Sequence, residues 1–176
     1  MRIAVISYSF TGNNKALAHK VAQALQADLI ELAEPKPRTM GTIVLDMLLN
    51  RSPKAVPQPE ALDDYGLLLF SGPVWMGHVA APLRPYLGYL RKHPRQYGFF
   101  SISGGADGGN TKLAGELQKR AGAAPVLLLD QHIAGLLLQT DAASAPARKD
   151  TSAYRLTEKD IEALAGPVIA ACRQAM

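Results

Sequence analysis

The sequence contains five short strand-like runs of hydrophobic residues. Residues 3–7, 65–71, 97–102 and 125–130 are almost continuously apolar. Such runs are typical of strands that are covered on both faces of a parallel sheet. Residues 28–32 are shorter and more polar and alternate in character, which predicts a strand at the edge of that sheet.

The stretches between these runs have apolar residues three or four positions apart, which is the spacing of amphipathic helices. Residues 13–26 form the first such helix. Another begins near Pro82 and ends at Pro94, because proline cannot continue a helix. A further helix ends at Gly122, and Thr157 caps the last one.

Strand and helix thus alternate five times, which predicts an α/β fold in one domain covering residues 1–176. The expected architecture has three layers around a doubly wound, five-stranded parallel sheet in the order 2-1-3-4-5. Residues 33–64 form a proline-rich insert. Its apolar run at 43–49 predicts a helix that packs on the sheet or meets a partner subunit, as in a homodimer. Residues 133–138 would extend the fifth strand or cross the sheet edge, and residues 139–153 would form a surface loop.

Composition excludes several classes of protein. The hydrophobic content of 48% is that of a globular chain, and no apolar run reaches the roughly 20 residues of a membrane span. The first residues enter a strand without a signal-peptide pattern, which predicts a cytoplasmic protein. The net charge of +4 is spread without a basic stripe, so nucleic-acid binding is not expected. A single cysteine, Cys172, excludes an internal disulfide and a cysteine-rich metal site.

The turn after the first strand is rich in hydrogen-bond donors. Ser9, Thr11, Asn13 and Asn14 surround the start of the first helix, and Gly12 allows close backbone approach. Unpaired N–H groups and the helix dipole attract anions there. The turn therefore predicts a site for a phosphate monoester, although the same residues also suit an ordinary strand-turn-helix connection.

Other phosphate and anion motifs are absent. The turn has no G-x-x-x-x-G-K-[ST] and no G-x-G-x-x-G, which excludes a nucleotide triphosphate loop and argues against a dinucleotide site. A cysteine phosphatase would need its nucleophile in this loop, far from Cys172. A receiver domain would have clustered carboxylates where Ser7, Tyr8 and Ser9 stand.

Two further loops follow the third and fourth long strands, at residues 72–78 and 103–110. In the 2-1-3-4-5 order, the first, third and fourth strands are neighbours at the point where the strand order reverses. Ligands of parallel α/β sheets bind at that point, outside the carboxyl ends of the strands. All three loops are therefore expected to form one crevice.

Taken together, the loops resemble those of the flavodoxin family, over residues 3 to about 172. The motifs are residues 9–14, residues 72–77 followed by the helix start at Pro82, and residues 103–108. The resemblance implies bound FMN, with its phosphate in the first loop and its isoalloxazine ring between the other two. The cofactor-binding residues it implies are Ser9, Thr11, Gly12, Asn13, Asn14, Pro73, Val74, Trp75, Met76, Gly77, Ser103, Gly104, Gly105, Asp107 and Gly108.

Trp75 is the only tryptophan and is the residue expected to stack on the flavin, with a core anchor as the alternative. His78 could bond to the flavin or substrate, or be an exposed loop residue without a role. Lys15 could help to hold the phosphate or simply face solvent. Asp107 is expected to be a turn residue rather than a catalytic one.

The third loop lacks the aromatic residue that an electron-carrying flavodoxin usually places over the flavin. One face of the ring would then be open to a nicotinamide or a quinone. The resemblance therefore favours an FMN-dependent oxidoreductase that takes electrons from NAD(P)H or a protein donor and needs no catalytic side chain. The alternatives are a non-enzymatic electron carrier and a flavin-free binding module that interacts through residues 43–49.

Overall fold

A computed structural model describes residues 1–36, 38–140 and 145–176. The strands are β1 (Ile3–Ser7), β2 (Asp28–Glu31), β3 (Leu67–Ser71), β4 (Val74–Trp75), β5 (His78–Val79), β6 (Gln96–Ser103) and β7 (Leu127–His132). The α-helices are α1 (Asn13–Leu25), α2 (Met40–Leu48), α3 (Arg84–Lys92), α4 (Leu113–Ala121), α5 (Ile133–Thr140), α6 (Arg148–Ala153) and α7 (Glu158–Ala175).

Five parallel strands form the main sheet in the order β2-β1-β3-β6-β7. Counted among the five long strands this is 2-1-3-4-5, so the predicted order is confirmed, with β2 at an edge. The central strand β3 is fully buried, because helices cover both faces of the sheet. The strand order reverses between β1 and β3, which places the carboxyl ends of β1, β3 and β6 next to one another.

Two hydrophobic layers flank the sheet and confirm the three-layer arrangement. On one face, α1 and α7 pack on the sheet through Leu17, Val21 and Val168, which are fully buried. On the other face, α3 and α4 pack through residues such as Leu87 and Leu117. Each layer buries aliphatic and aromatic side chains against the strands and so fixes the loops at their carboxyl ends.

The proline-rich insert contains the predicted helix, α2, which is held by buried ionic contacts. Arg38 pairs with Glu34 and with Asp46, and its side chain is only 4% exposed. The guanidinium of Arg84 donates to the carbonyl oxygens of Asp46 at 3.1 Å and Arg51 at 2.9 Å. These contacts fix α2 against the start of α3, while its packing on the sheet and its contact with a partner subunit remain predictions.

The predicted loop at 72–78 is present and contains most of the antiparallel hairpin β4-β5. Two local predictions are wrong. Residues 133–138 do not extend the fifth strand but form most of α5, because an apolar run of this length suits a helix as well as a strand. Their position across the sheet edge stays a prediction. The predicted surface loop at 139–153 contains α6, and its residues 141–144 lie outside the described part of the chain.

None of the helices within the described residues is both long and apolar enough to span a bilayer.

Candidate functional site

The turn after β1 leaves backbone donors free at the start of α1. Gly12 occupies the N-cap position with φ +96°, a conformation that favours glycine, and its N–H donates to the Ser9 hydroxyl at 3.0 Å. Within the described part of the chain, the N–H groups of Asn13, Asn14 and Lys15 have no hydrogen-bond partner. No acidic residue stands in the first turn of α1. The helix end therefore presents three donors and a positive dipole to an anion.

The Ser7 hydroxyl, at the end of β1 and two residues before this turn, is a buried polar group. Ser7 is 3% exposed, and its Oγ has no hydrogen-bond partner among the described residues. A buried hydroxyl without a partner is uncommon and needs an explanation such as a bound ligand or water. Together with the half-buried Ser9 and Thr11, the set of uncharged donors fits a phosphate monoester.

The side chains of Asn13 and Asn14 are not among these donors, which corrects the prediction that they surround the anion. The Asn14 amide donates to the carbonyl of Ile102 at 2.9 Å and accepts from the N–H of the same residue at 3.0 Å. The Asn13 amide donates to the carbonyl of Tyr154 and accepts from the N–H of Leu156. The side chains of the two residues thus hold other segments of the chain, and their backbone N–H groups face no partner among the described residues.

Lys15 is also directed elsewhere. Its ammonium lies 2.7 Å from the carboxylate of Glu31, which His19 contacts as well at 2.9 Å. The ammonium lowers the pKa of the Glu31 carboxyl, with a smaller contribution from His19. The solvent-facing interpretation of Lys15 therefore fits the structure better than a phosphate contact.

The second loop is a tight hairpin. Trp75 pairs with His78, and the two residues between them, Met76 and Gly77, have φ angles of +51° and +78°. Two positive φ angles between paired strand ends are those of a type I′ turn, in which the first position favours asparagine or aspartate over a residue such as methionine. Glu116 of α4 fixes the hairpin: its carboxylate accepts from the N–H of Val79 at 2.8 Å and lies 3.3 Å from Nδ1 of His78. His78 thus contacts α4.

Trp75 connects the second loop to the first. Its ring makes edge-to-face contacts with Tyr8 at 6.4 Å and with Phe10 at 6.3 Å between centroids. It packs against the core, as one alternative predicted, and it also lines the cleft described below; its stacking on a flavin stays a prediction. Burial, together with the Glu34 carboxylate, raises the pKa of Tyr8 to about 12, so the phenol beside Trp75 is neutral at physiological pH.

The third loop is built from glycines that lie close to other groups. A Cβ on Gly104 would lie 3.0 Å from the Thr151 hydroxyl, and Gly105 has φ +72° and rests on the ring of His132. Asp107 is exposed and its carboxylate accepts from Nε of Arg148 at 2.7 Å, which suits the expected turn residue. Four glycines of the loop, Gly104, Gly105, Gly108 and Gly109, line the cleft and leave its backbone accessible there.

A polar network beneath this loop was missed by the sequence analysis. The Asp130 carboxylate accepts from the Ser101 hydroxyl at 2.7 Å and from the Asn110 amide at 2.8 Å, and it lies 3.1 Å from Nε2 of His132. Ser101 stands opposite Asp130, and Ser103 opposite His132, on neighbouring strands. Polar residues two positions apart at the ends of two neighbouring strands were the available signal.

A cleft of about 550 Å³ lies between the second loop, the third loop and α2. Its volume is in the range of small-molecule pockets. The predicted site residues that line it are Val74, Trp75, Met76, Gly77, Ser103, Gly104, Gly105, Asp107 and Gly108. Pro73 is buried beside it, and its carbonyl accepts from the N–H of Ala80. The first turn, with Ser9, Thr11, Gly12, Asn13 and Asn14, does not line the cleft but adjoins it through the contact of Phe10 with Trp75.

The wall formed by α2 is the second feature that the sequence analysis missed. Met40, Ile43, Val44 and Met47 line the cleft opposite the glycine-rich loop. Residues 1–36, 38–140 and 145–176 contain no group of three or more histidine, cysteine, aspartate or glutamate side chains arranged to hold a metal ion. The rest of the lining is mixed: it includes Trp75, the polar residues Ser103, Asn110, Thr111 and Thr151, and the charged residues Asp107, Lys112 and Arg148.

Several solved structures are similar to this chain. A flavoprotein in complex with FMN from Lactobacillus acidophilus NCFM superposes with a TM-score of 0.58 at 20% identity, over 74% of this chain and 93% of that one. A provisionally named flavoprotein from Bacteroides eggerthii DSM 20697 gives a TM-score of 0.63 at 18% identity, over 81% and 99%. A short-chain flavodoxin associated with a non-canonical PDU bacterial microcompartment gives 0.50 at 17% identity, over all of both chains.

These similarities show that the chain has a flavodoxin-like fold, as the sequence predicted. No family model matches the sequence, and the search of curated proteins gives no significant match.

Proposed function

We propose that the protein binds FMN and is an oxidoreductase of flavodoxin-like fold. The observation that carries the proposal is the set of free N–H groups at the start of α1, together with the unpartnered Ser7 hydroxyl at the end of β1 and an adjoining cleft lined by glycines and Trp75. This arrangement offers a phosphate site and a ring site side by side. The similar Lactobacillus flavoprotein is described in complex with FMN, which supports the same cofactor here.

The residues that would hold FMN fall into two groups. The N–H groups of Asn13, Asn14 and Lys15, with the hydroxyls of Ser9 and Thr11, would hold the phosphate without a positively charged side chain. Trp75, the hairpin and the backbone of the third loop would hold the ring. The contact between Phe10 and Trp75 keeps the two groups adjacent, which suits a ligand that carries its phosphate on a short chain.

Bound FMN would supply the redox chemistry, in which NAD(P)H, one proton and a quinone are converted to NAD(P)⁺ and the hydroquinone. The protein supplies binding, orientation and shielding from water. The third loop places no aromatic side chain in the cleft, and this supports an accessible ring rather than the covered ring of an electron carrier. Cytoplasmic nicotinamide donors and quinone-type acceptors are accordingly the proposed partners.

The test is a comparison of FMN with riboflavin, which lacks the phosphate. Quenching of flavin fluorescence should show that the wild-type protein binds FMN at least tenfold more tightly than riboflavin. The double variant Ser9→Ala, Thr11→Ala should lose most of that difference and keep its affinity for riboflavin, since lost hydrogen bonds to a charged group weaken binding by about 1.5–3 kcal/mol each. A protein that takes up neither flavin would contradict the proposal.

The enzymatic part is tested on the FMN-loaded protein. Anaerobic addition of NADPH or NADH should bleach the flavin spectrum, and a quinone should restore it over many turnovers. Bleaching only by a strong chemical reductant would instead indicate an electron carrier.

A further inference from the structure

The cleft has one wall without hydrogen-bonding side chains, and this wall belongs to the proline-rich insert. Met40, Ile43, Val44 and Met47 line the cleft. They occupy positions i, i+3, i+4 and i+7 of α2, so they form a single face of the helix. We name these four residues the α2 wall.

The α2 wall is rigidly supported. At its start, the Thr39 and Thr42 side chains each bond to the other residue's backbone N–H, which forms a reciprocal cap. Arg38, buried against Asp46, holds the side of the helix that faces the protein. Arg84 joins α2 to the hairpin, because it donates to the carbonyl of Asp46 and also to that of Val79. The wall and the hairpin are therefore held at a fixed relative position.

The charges around the cleft are largely neutralised. Asp107 and Arg148 pair with each other at 2.7 Å. Lys112 lines the cleft on the side of the hairpin, and its Cβ lies 3.5 Å from the position that a Cβ on Gly77 would occupy. Within the described residues it has no ion-pair partner. The opposite wall is the glycine-rich third loop. A ligand part that lies against the α2 wall meets only aliphatic carbon and methionine sulfur, which favour an uncharged, flat ring.

We infer that the α2 wall is the binding surface for the electron acceptor and selects uncharged, planar, apolar molecules. The inference rests on the proposed function, in which the flavin ring lies against the hairpin and the third loop. The acceptor then occupies the remaining side of the same cleft. The insert that carries α2 thus determines acceptor specificity, while the loops determine cofactor binding.

The chain offers a matched pair of positions for the test. Val44 lines the cleft and is 46% exposed; Leu45, the next residue of the same helix, is 42% exposed and is not among the residues that line it. Aspartate or lysine at either position should affect folding similarly. Only changes at Val44 place a charge where the acceptor binds.

Binding is measured with menadione, an uncharged naphthoquinone, and with a naphthoquinone sulfonate of similar shape. Trp75 lines the cleft and is the only tryptophan, so its fluorescence reports occupancy with or without FMN. Val44→Asp should weaken menadione binding about tenfold or more. Val44→Lys should weaken menadione binding similarly but strengthen sulfonate binding. Both Leu45 variants should keep the wild-type affinities, and all variants should keep the wild-type affinity for FMN.

Equal effects on menadione binding at Val44 and Leu45 would overturn the inference. It would also be overturned if Val44→Asp lost as much affinity for FMN as for menadione, because the α2 wall would then contact the cofactor. A failure of the proposed function is seen separately, as a wild-type protein that binds no FMN. In that case the Trp75 signal from menadione on the FMN-free protein still decides whether Val44 controls the apolar site.

Discussion

Gly105 lies directly on the imidazole of His132. A methyl group at position 105 would come within 2.5 Å of Cβ and 2.7 Å of Cγ of His132, closer than carbon atoms approach in folded proteins. The same glycine has φ +72°, which other residues adopt only with strain. The shape of the third loop is therefore set by the side chain beneath it.

Gly105→Ala should distort the third loop and weaken binding of the flavin ring. We expect a loss of about 2 kcal/mol or more in the free energy of unfolding, because both the φ angle and the contact with His132 are unfavourable. Gly108→Ala is the control: Gly108 has φ +95°, but no described atom lies within 4 Å of a Cβ built there. Urea unfolding and riboflavin titration of both variants measure the effect. Similar losses in the two variants would contradict a specific role of the contact with His132.

The carboxylate of Asp130 should be needed to hold the third loop in place. In Asp130→Asn, an amide replaces an oxygen that now accepts from Asn110 and contacts His132. Unsatisfied buried donors cost about 1–3 kcal/mol each, so the loop should loosen. Affinity for FMN and for riboflavin should fall by the same factor, because the ring site is affected and the phosphate turn is not. A loss confined to FMN would contradict this assignment.

The α/β fold could be predicted because its signals are local. Each buried strand is a short apolar run and each covering helix has its own periodicity, so the number and order of most elements follow from hydrophobic pattern alone. The run at 133–138 was misassigned for the same reason: an apolar segment of six residues has no period that separates strand from helix. Its assignment as α5 depends on the tertiary structure, in which the N–H of Ala134 donates to Gly104.

The predicted loops were found, but the roles of individual side chains depend on distant partners. Asn14 was expected to face an anion, yet its partner is Ile102, 88 positions away. The α2 wall was not assigned to the site because the sequence does not show which face of a helix meets a cleft formed by other segments. The Asp130 network could have been predicted in part, since Asp130 and His132 are polar residues spaced two apart at the end of an apolar strand.

Asn14 should contribute more to stability than to ligand binding. The pairing of β3 with β6 ends at Ser71 and Phe100, and the Asn14 amide satisfies both backbone groups of Ile102 beyond that point. Asn14→Ala leaves a buried N–H and a buried carbonyl without partners, at a cost of about 3 kcal/mol. Thermal unfolding measures the loss, and Asn13→Ala, whose amide bonds are only partly buried, should lose less. A stable Asn14→Ala protein that no longer binds FMN would show instead that this side chain is a phosphate ligand.

Stability should fall at alkaline pH because several buried acids are kept protonated in the folded chain. Burial raises the pKa of Tyr97 from 10.0 to about 12 and that of the Cys172 thiol from 9.0 to about 11. The unfolded chain loses these protons at lower pH than the folded one, so the stability that they contribute is complete below pH 9 and is lost as the pH rises towards 12.

Tyr97→Phe isolates the contribution of one group. The variant loses the hydrogen bond from the Tyr97 hydroxyl to the carbonyl of Ala123, at 2.8 Å, and should be about 1 kcal/mol less stable at neutral pH. Above pH 10 its free energy of unfolding should fall less steeply than that of the wild type, because no phenol at position 97 can ionise. Between neutral pH and pH 12, the free energy of unfolding of the wild type should fall by about 2 kcal/mol more than that of the variant. This follows because one pKa unit corresponds to about 1.4 kcal/mol. Urea unfolding at a series of alkaline pH values tests this, and parallel curves for the two proteins would show that Tyr97 is not the group whose ionisation destabilises the fold.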